Sequence, residues 1–157
     1  MTAKIPEAEL VRRTYTLRVM DLPPSVSLTK RSLLRWFALA FGIISEQESR
    51  STIFDVLDSL FYHQFTKKTD PTSADLQAYL KSKGRKVSDK LLLYHLKRLQ
   101  DSGLVQRRKG KYLFCSDAYS DKSNLAAGFK SSVASAVNKS LEDIQSVLGK
   151  LADGYRR

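Results

Sequence analysis

The residues from Lys81 to Lys111 carry the groups most able to bind a ligand. This stretch holds eleven Lys and Arg against two Asp, a net charge of +9 in a chain whose net charge is +11. Clustered cations attract polyanions, because each phosphate that a cation neutralises releases condensed counterions. The stretch therefore predicts a surface for nucleic acid, or with less support for an anionic membrane. A solvated basic surface without a partner is the alternative that charge alone leaves open.

Residues for other chemistry are few. His63 and His95 are the only histidines and Cys115 is the only cysteine, so the chain offers no cluster spaced for zinc and no internal disulfide. No glycine-rich phosphate loop or nucleophile motif occurs in the sequence. Asp55 and Asp58 are interpreted as a solvated helix face. We therefore expect no enzyme activity, no metal and no cofactor.

Composition is that of an ordinary globular protein. The chain has 157 residues, 42% of them hydrophobic, which is enough for one small domain with extensions and a core of its own. The N-terminus lacks the apolar segment of a signal peptide, and the longest apolar run, residues 36–44, is too short to span a bilayer. These features predict a cytoplasmic protein.

The first 50 residues form a predicted N-terminal extension. Residues 14–20 alternate apolar and polar side chains, which predicts a short strand. Ser27 or Thr29 can cap a helix that runs to about Ser45. Its second half is apolar on almost every side, so we expect this helix to be fully buried.

Residues 51–116 predict helices followed by a hairpin. One helix covers about 51–66, and the next begins at Thr72 with Asp75 three residues later, as in a capping box. Ser88 is a good N-cap for a third helix, from Asp89 to about Ser102. Its buried stripe is Leu92, Leu96 and Leu99, and the hairpin that follows turns at residues 108–110.

Residues 117–157 contain a long predicted helix. Its apolar residues recur at steps of four and three over two heptads, with a change of phase upstream at Phe129 and Val133: Val137, Leu141, Ile144, Leu148 and Leu151. Two heptads are too few for an independent coiled coil. The helix is therefore expected to pack on its own domain or on a second copy.

Three short motifs stand out in this order of elements: Tyr94-His95-Leu96-Lys97-Arg98-Leu99, Gly103-Leu104-Val105 and the charged residues 107–112. With them, roughly residues 51–114 resemble the winged helix-turn-helix of bacterial and archaeal transcriptional regulators, especially the ArsR-like branch. The resemblance implies a mainly α fold with a small β-hairpin wing, here with an N-terminal strand and helix and a long C-terminal helix. It also implies a DNA-binding regulator. The metal-sensing cysteine pairs frequent in that branch are missing, so metal sensing is not implied.

The groups expected to contact nucleic acid lie on the third helix and the hairpin. A helix fits the DNA major groove, where base edges differ between base pairs, and hairpin cations can reach the flanking backbone. The predicted binding residues are Lys86, Ser88, Lys90, Tyr94, Lys97, Arg98, Arg107, Arg108, Lys109 and Lys111. We further expect a homodimer, built from residues 27–45 and 125–151, on double-stranded DNA.

Two alternatives remain because Leu91 and Leu93 occupy positions that are usually small and polar in these regulators. Leucine pairs poorly with base edges, apart from thymine methyl groups. Either the helix is rotated from this estimate, or the surface meets another partner. A structured-RNA or ribosome-associated factor would use the same basic surface. A protein-interaction domain would use Leu91, Leu93 and Tyr94.

Overall fold

The computed structural model describes residues 3–47 and 51–157. The chain is mainly helical with one small antiparallel hairpin, which confirms the broad fold class predicted above. Two compact units divide it, an N-terminal unit of residues 1–113 and a C-terminal unit of residues 114–157. No helix in the described ranges is long and apolar enough to cross a membrane. The elements in chain order are α1 Lys30–Ala40, α2 Ile53–Phe61, α3 Ser73–Ser82, α4 Asp89–Asp101, β1 Val105–Arg108, β2 Lys111–Phe114, α5 Leu125–Phe129 and α6 Ser135–Tyr155.

The strand predicted over residues 14–20 is wrong. The segment is extended, but its backbone bonds to the end of a helix, with the Arg18 amide donating to the carbonyl of Ala40 at 2.9 Å. The Arg18 side chain lies half-buried and donates to the carbonyls of Leu39 at 2.6 Å and Ile44 at 2.9 Å. Alternation predicts an extended backbone, whereas a strand also requires a partner strand, and here α1 takes that place.

The helix predicted over residues 27–45 forms, but it is shorter and less buried than expected. The Thr29 hydroxyl accepts from the Ser32 amide at 3.0 Å and caps α1, which ends at Ala40. Gly42 then reverses the chain with φ +67°, and a Cβ there would lie 2.1 Å from the Thr16 carbonyl oxygen. Only glycine fits such a position. The apolar run is therefore split between α1, whose one buried residue is Ala38, and the returning segment, which buries Ile43.

Helices α2, α3 and α4 build the core beside the candidate site. Apolar side chains of all three are buried, among them Phe54, Leu80 and Leu96. The predicted capping box is confirmed: the Asp75 amide donates to Thr72 Oγ1 at 3.2 Å, and the Thr72 amide donates to Asp75 Oδ2 at 3.0 Å. Hydrogen bonding to the backbone and side chain of Thr72 holds the pKa of Asp75 below its usual value.

The C-terminal unit is a helical segment interrupted by one wider turn. A π-helical turn over Lys130–Ala134 joins α5 to α6. Val133 in that turn is buried, whereas no residue of α6 is. Cys115, at the start of the unit, is also buried, and this burial raises the pKa of its thiol.

Candidate nucleic-acid interface

The start of α4 is fixed by a cap and by a buried amide from α3. Ser88 Oγ accepts from the Leu91 amide at 3.1 Å, which confirms Ser88 as the N-cap. Gln77, whose side chain is only 8% exposed, donates from Nε2 to the Val87 carbonyl at 2.7 Å and to Asp89 Oδ1 at 2.9 Å. These bonds hold the first turn of α4 against the middle of α3.

Gln77 is not among the residues predicted from the sequence. It follows Leu76 and stands three residues before Leu80, both of which are buried on α3. A glutamine beside a buried stripe is the one local sign of its role, because a buried amide requires hydrogen-bond partners.

The turn between α3 and α4 is also held from α2. Arg85 Nη1 lies 3.0 Å from Asp55 Oδ1 and 3.2 Å from Asp58 Oδ2, and the Tyr79 hydroxyl donates to Asp58 Oδ2 at 3.0 Å. Burial, and then the bond to Asp58, raises the pKa of Tyr79. The two carboxylates therefore have a specific partner, unlike the plain solvated face expected. The Arg85 guanidinium is thus paired with two carboxylates and adds little to the charge of the basic surface.

Helix α4 has the predicted orientation. Its buried residues are Leu92, His95, Leu96 and Leu99, and His95 Nε2 lies 2.7 Å from Thr52 Oγ1. The outward face carries Lys90, Leu93, Tyr94 and Lys97, with Leu93 50% and Tyr94 57% exposed. The helix is thus not rotated, and Leu93 does face outward.

Lys97 and Arg98 have partners within the chain. Lys97 Nζ lies 3.0 Å from Asp101 Oδ1 in an exposed pair one turn apart, which contributes little and leaves the ammonium accessible. The Arg98 guanidinium is half-buried, donates to the Ile43 carbonyl and lies 5.8 Å from the centre of the Tyr94 ring. Arg98 is one of the predicted binding residues, but its guanidinium instead binds the N-terminal segment through the Ile43 carbonyl.

The hairpin turns through two residues with positive φ, Lys109 at 52° and Gly110 at 78°. Such a pair matches the twist of the flanking strands. The side chains of Arg107, Arg108, Lys109 and Lys111 are exposed, with the Arg107 guanidinium 5.7 Å from the centre of the Tyr112 ring.

A short pairing ties the hairpin to the start of α3. Thr72 forms an antiparallel bridge with Lys111, and the Tyr112 amide donates to the Pro71 carbonyl at 2.8 Å. On the other side, β1 packs against α4. The hairpin is therefore anchored to both helices next to it.

The basic charge is concentrated in one unit and part of it is unneutralised. Residues 1–113 hold 21 Lys and Arg against 11 Asp and Glu, whereas residues 114–157 hold six against five. Within the described ranges, no acidic group forms an ion pair with six exposed cations of the α3–α4 turn, α4 and the hairpin: Lys86, Lys90, Arg107, Arg108, Lys109 and Lys111. These side chains are available to phosphates.

Metal chemistry has no site among residues 3–47 and 51–157, where no three His, Cys, Asp or Glu side chains come together. His63 is buried on its helix, with Nδ1 2.8 Å from the Ser59 carbonyl oxygen.

Replacing Lys109 by asparagine is expected to stabilise the N-terminal unit by about 0.5–1 kcal/mol, because asparagine tolerates the left-handed conformation better than lysine. Urea unfolding would measure the change. Replacing Lys111, which has no positive φ, by asparagine is the control. A loss of stability at position 109 would contradict the turn geometry.

Comparison of the chain with protein-family models, with curated proteins and with solved structures gives no match. The family resemblance of roughly residues 51–114 therefore stays a prediction.

Proposed function

We propose that this chain is a winged-helix protein that binds duplex DNA and regulates transcription. The observation that carries the proposal is the outward face of α4, whose cations stand beside a hairpin with four exposed Lys and Arg side chains. Lysines and arginines on one helix and one loop are the electrostatic footprint of nucleic-acid binding.

The order of elements supports the winged-helix assignment. Along the chain, α2 is followed by Thr72, α3, α4, β1 and β2. Thr72 forms a β-bridge with Lys111, so the residue before α3 lies against the hairpin. In a helix-turn-helix the second helix enters the major groove. Here that helix is α4, and Gln77 and Arg85 fix its start.

Each part of the surface has a role on a duplex. Lys90 and Lys97 would meet phosphates or guanine edges, and Tyr94 would contribute a hydroxyl and a flat ring. The Ser88 hydroxyl and the positive end of the α4 dipole suit a phosphate. The hairpin cations would reach the flanking backbone.

The test is a fluorescence-anisotropy titration with random duplex DNA and with structured RNA at a series of salt concentrations. If the six cations without an acidic partner each meet a phosphate, the logarithm of affinity should fall against the logarithm of salt with a slope of roughly −5. We expect the duplex to bind more tightly. Absent or salt-independent binding would exclude a nucleic-acid function.

The exposure of Leu93 and Tyr94 favours a second candidate, a structured-RNA or ribosome-associated factor. Exposed leucine has few partners on DNA base edges, whereas an exposed tyrosine can stack on an unpaired base. A clear preference for RNA in the same titration would select this candidate. A protein-interaction domain is the third, and a Leu93→Ser variant would then lose its partner while keeping any binding to DNA.

A regulator of this kind would act as a homodimer, for which the expected segments are residues 27–45 and 125–151. A two-fold axis would place two α4 helices on half-sites about 34 Å apart.

A further inference from the structure

Helix α6 leaves an apolar face exposed from Leu141 to Leu151. Five of its side chains are each 50–61% exposed: Leu141, Ile144, Val147, Leu148 and Leu151. A helix with one apolar face normally buries that face against another element. No residue of α6 is buried by the part of the chain that the structure describes.

The spacing of these residues suits another helix better than a flat surface. Val137, Ile144 and Leu151 recur every seven residues, and Leu141, Leu148 and Tyr155 form a second series four residues later. The two series are the d and a positions of a heptad repeat, whose side chains insert between those of a facing helix.

Charge on α6 supports a second copy of the same helix as the occupant. The positions beside the seam are uncharged, so two copies would meet without like-charge repulsion: Asn138, Ser140, Gln145, Val147, Ala152 and Gly154. The charged side chains all project away from it: Lys139, Glu142, Asp143, Lys150 and Asp153. In a pair of identical helices, the uncharged flanks of one copy face the uncharged flanks of the other.

The same charges disfavour a lipid surface. Between residues 139 and 153 the polar face carries two lysines against three acidic residues. Helices that lie on anionic membranes carry an excess of Lys and Arg on that face. A net negative face would be repelled.

The π-helical turn over Lys130–Ala134 marks where the open stripe begins. A π turn adds a residue to the helical repeat, so the face that carries Val133 shifts relative to the face that follows. Val133 is buried, whereas the next apolar positions are half-buried at Val137 and exposed from Leu141 onward. The chain thus covers its stripe up to this turn and leaves two heptads uncovered.

We propose that α6 associates with α6 of a second copy of this chain through the seam formed by residues 137, 141, 144, 148, 151 and 155. This inference deepens the homodimer part of the proposed function, rests on that part alone, and assigns the contact to one face of one helix. It does not require nucleic-acid binding, which is measured separately.

Sedimentation equilibrium of the full chain at micromolar concentrations tests the proposal. We expect concentration-dependent association that Leu148→Lys weakens about tenfold or more, since it would bury an unpaired charge in the seam. Ser146→Lys, which adds the same charge on the outer face, should leave association unchanged. Both sites are exposed, so both variants should fold, and circular dichroism would confirm equal helicity.

A wild-type chain that stays monomeric over the whole range would overturn the proposal, as would an equal effect of the two variants. Monomeric chain that sediments with vesicles of anionic lipid, and fails to do so with Leu148→Lys, would overturn it in favour of a membrane. The nucleic-acid titration on the same variants is read independently. If the wild-type chain showed no salt-dependent binding to nucleic acid, the proposed function would be wrong, and the inference about α6 would be unaffected.

Discussion

Replacing Arg108 and Lys109 together by glutamine is expected to weaken duplex binding about tenfold or more and to reduce the salt slope by about 2 units. Both side chains are exposed at the end of the hairpin, and neither forms an ion pair with a described residue. Each phosphate that loses its cationic contact keeps its condensed counterions, so fewer counterions are released on binding. Anisotropy titrations at several salt concentrations would give both quantities.

The matched control removes the same charge elsewhere. Lys150 and Arg157 are exposed in the C-terminal unit, and their replacement by glutamine lowers the net charge by the same two units. We expect this pair to change affinity by less than about twofold, because neither residue belongs to α4 or the hairpin, whose cations are proposed to meet the phosphates. Equal losses in the two double variants would mean that total charge, and not the hairpin, determines binding.

Replacing Gln77 by leucine is expected to lower the free energy of unfolding of the N-terminal unit by about 1–3 kcal/mol. The change removes both bonds from Nε2 and leaves the buried Val87 carbonyl without its donor. Because these bonds position the start of α4, nucleic-acid affinity should fall as well, although Gln77 is buried. Urea unfolding and the anisotropy titration measure the two effects.

Gln100 provides the comparison. It lies half-buried on α4 and makes no side-chain hydrogen bond within the described ranges, so Gln100→Leu applies the same chemical change without breaking a bond. We expect a change of about 0.5 kcal/mol or less. If Gln77→Leu proved equally mild, the amide would not be what holds α3 and α4 together.

Features set by neighbouring residues could be predicted from the sequence. The caps at Thr29, Thr72 and Ser88 depend on side chains that reach only three residues along the chain. The buried stripe of α4 follows from its spacing, and that stripe in turn places Lys90 on the outward face.

Features set by distant residues could not. Arg18 bonds to carbonyls 21 and 26 residues away, and this contact replaces the predicted strand. The partners of Arg85 lie on α2, and the Ile43 carbonyl that takes the Arg98 guanidinium lies 55 residues away. No local pattern indicates such contacts. Only the fold shows that Arg98, predicted to bind nucleic acid, and Arg85, counted in the basic stretch, have partners within the chain.

The phase change upstream of α6 lies between these cases. The spacing of Phe129, Val133 and Val137 made the change visible in the sequence, and the π turn over Lys130–Ala134 supplies its physical cause. A wider turn and a broken heptad are the same event described in two ways.

Because Cys115 is buried, the reactivity of this thiol, the only one in the sequence, reports on local opening of the structure around it. Its side chain is 1% exposed and its pKa is raised, so few molecules carry a reactive thiolate at any moment. A sulfhydryl reagent would therefore modify it only during transient openings of the surrounding segment. The rate at which the unaltered protein is modified would therefore measure how often this segment opens. A ligand that slows the modification would be one that suppresses these openings.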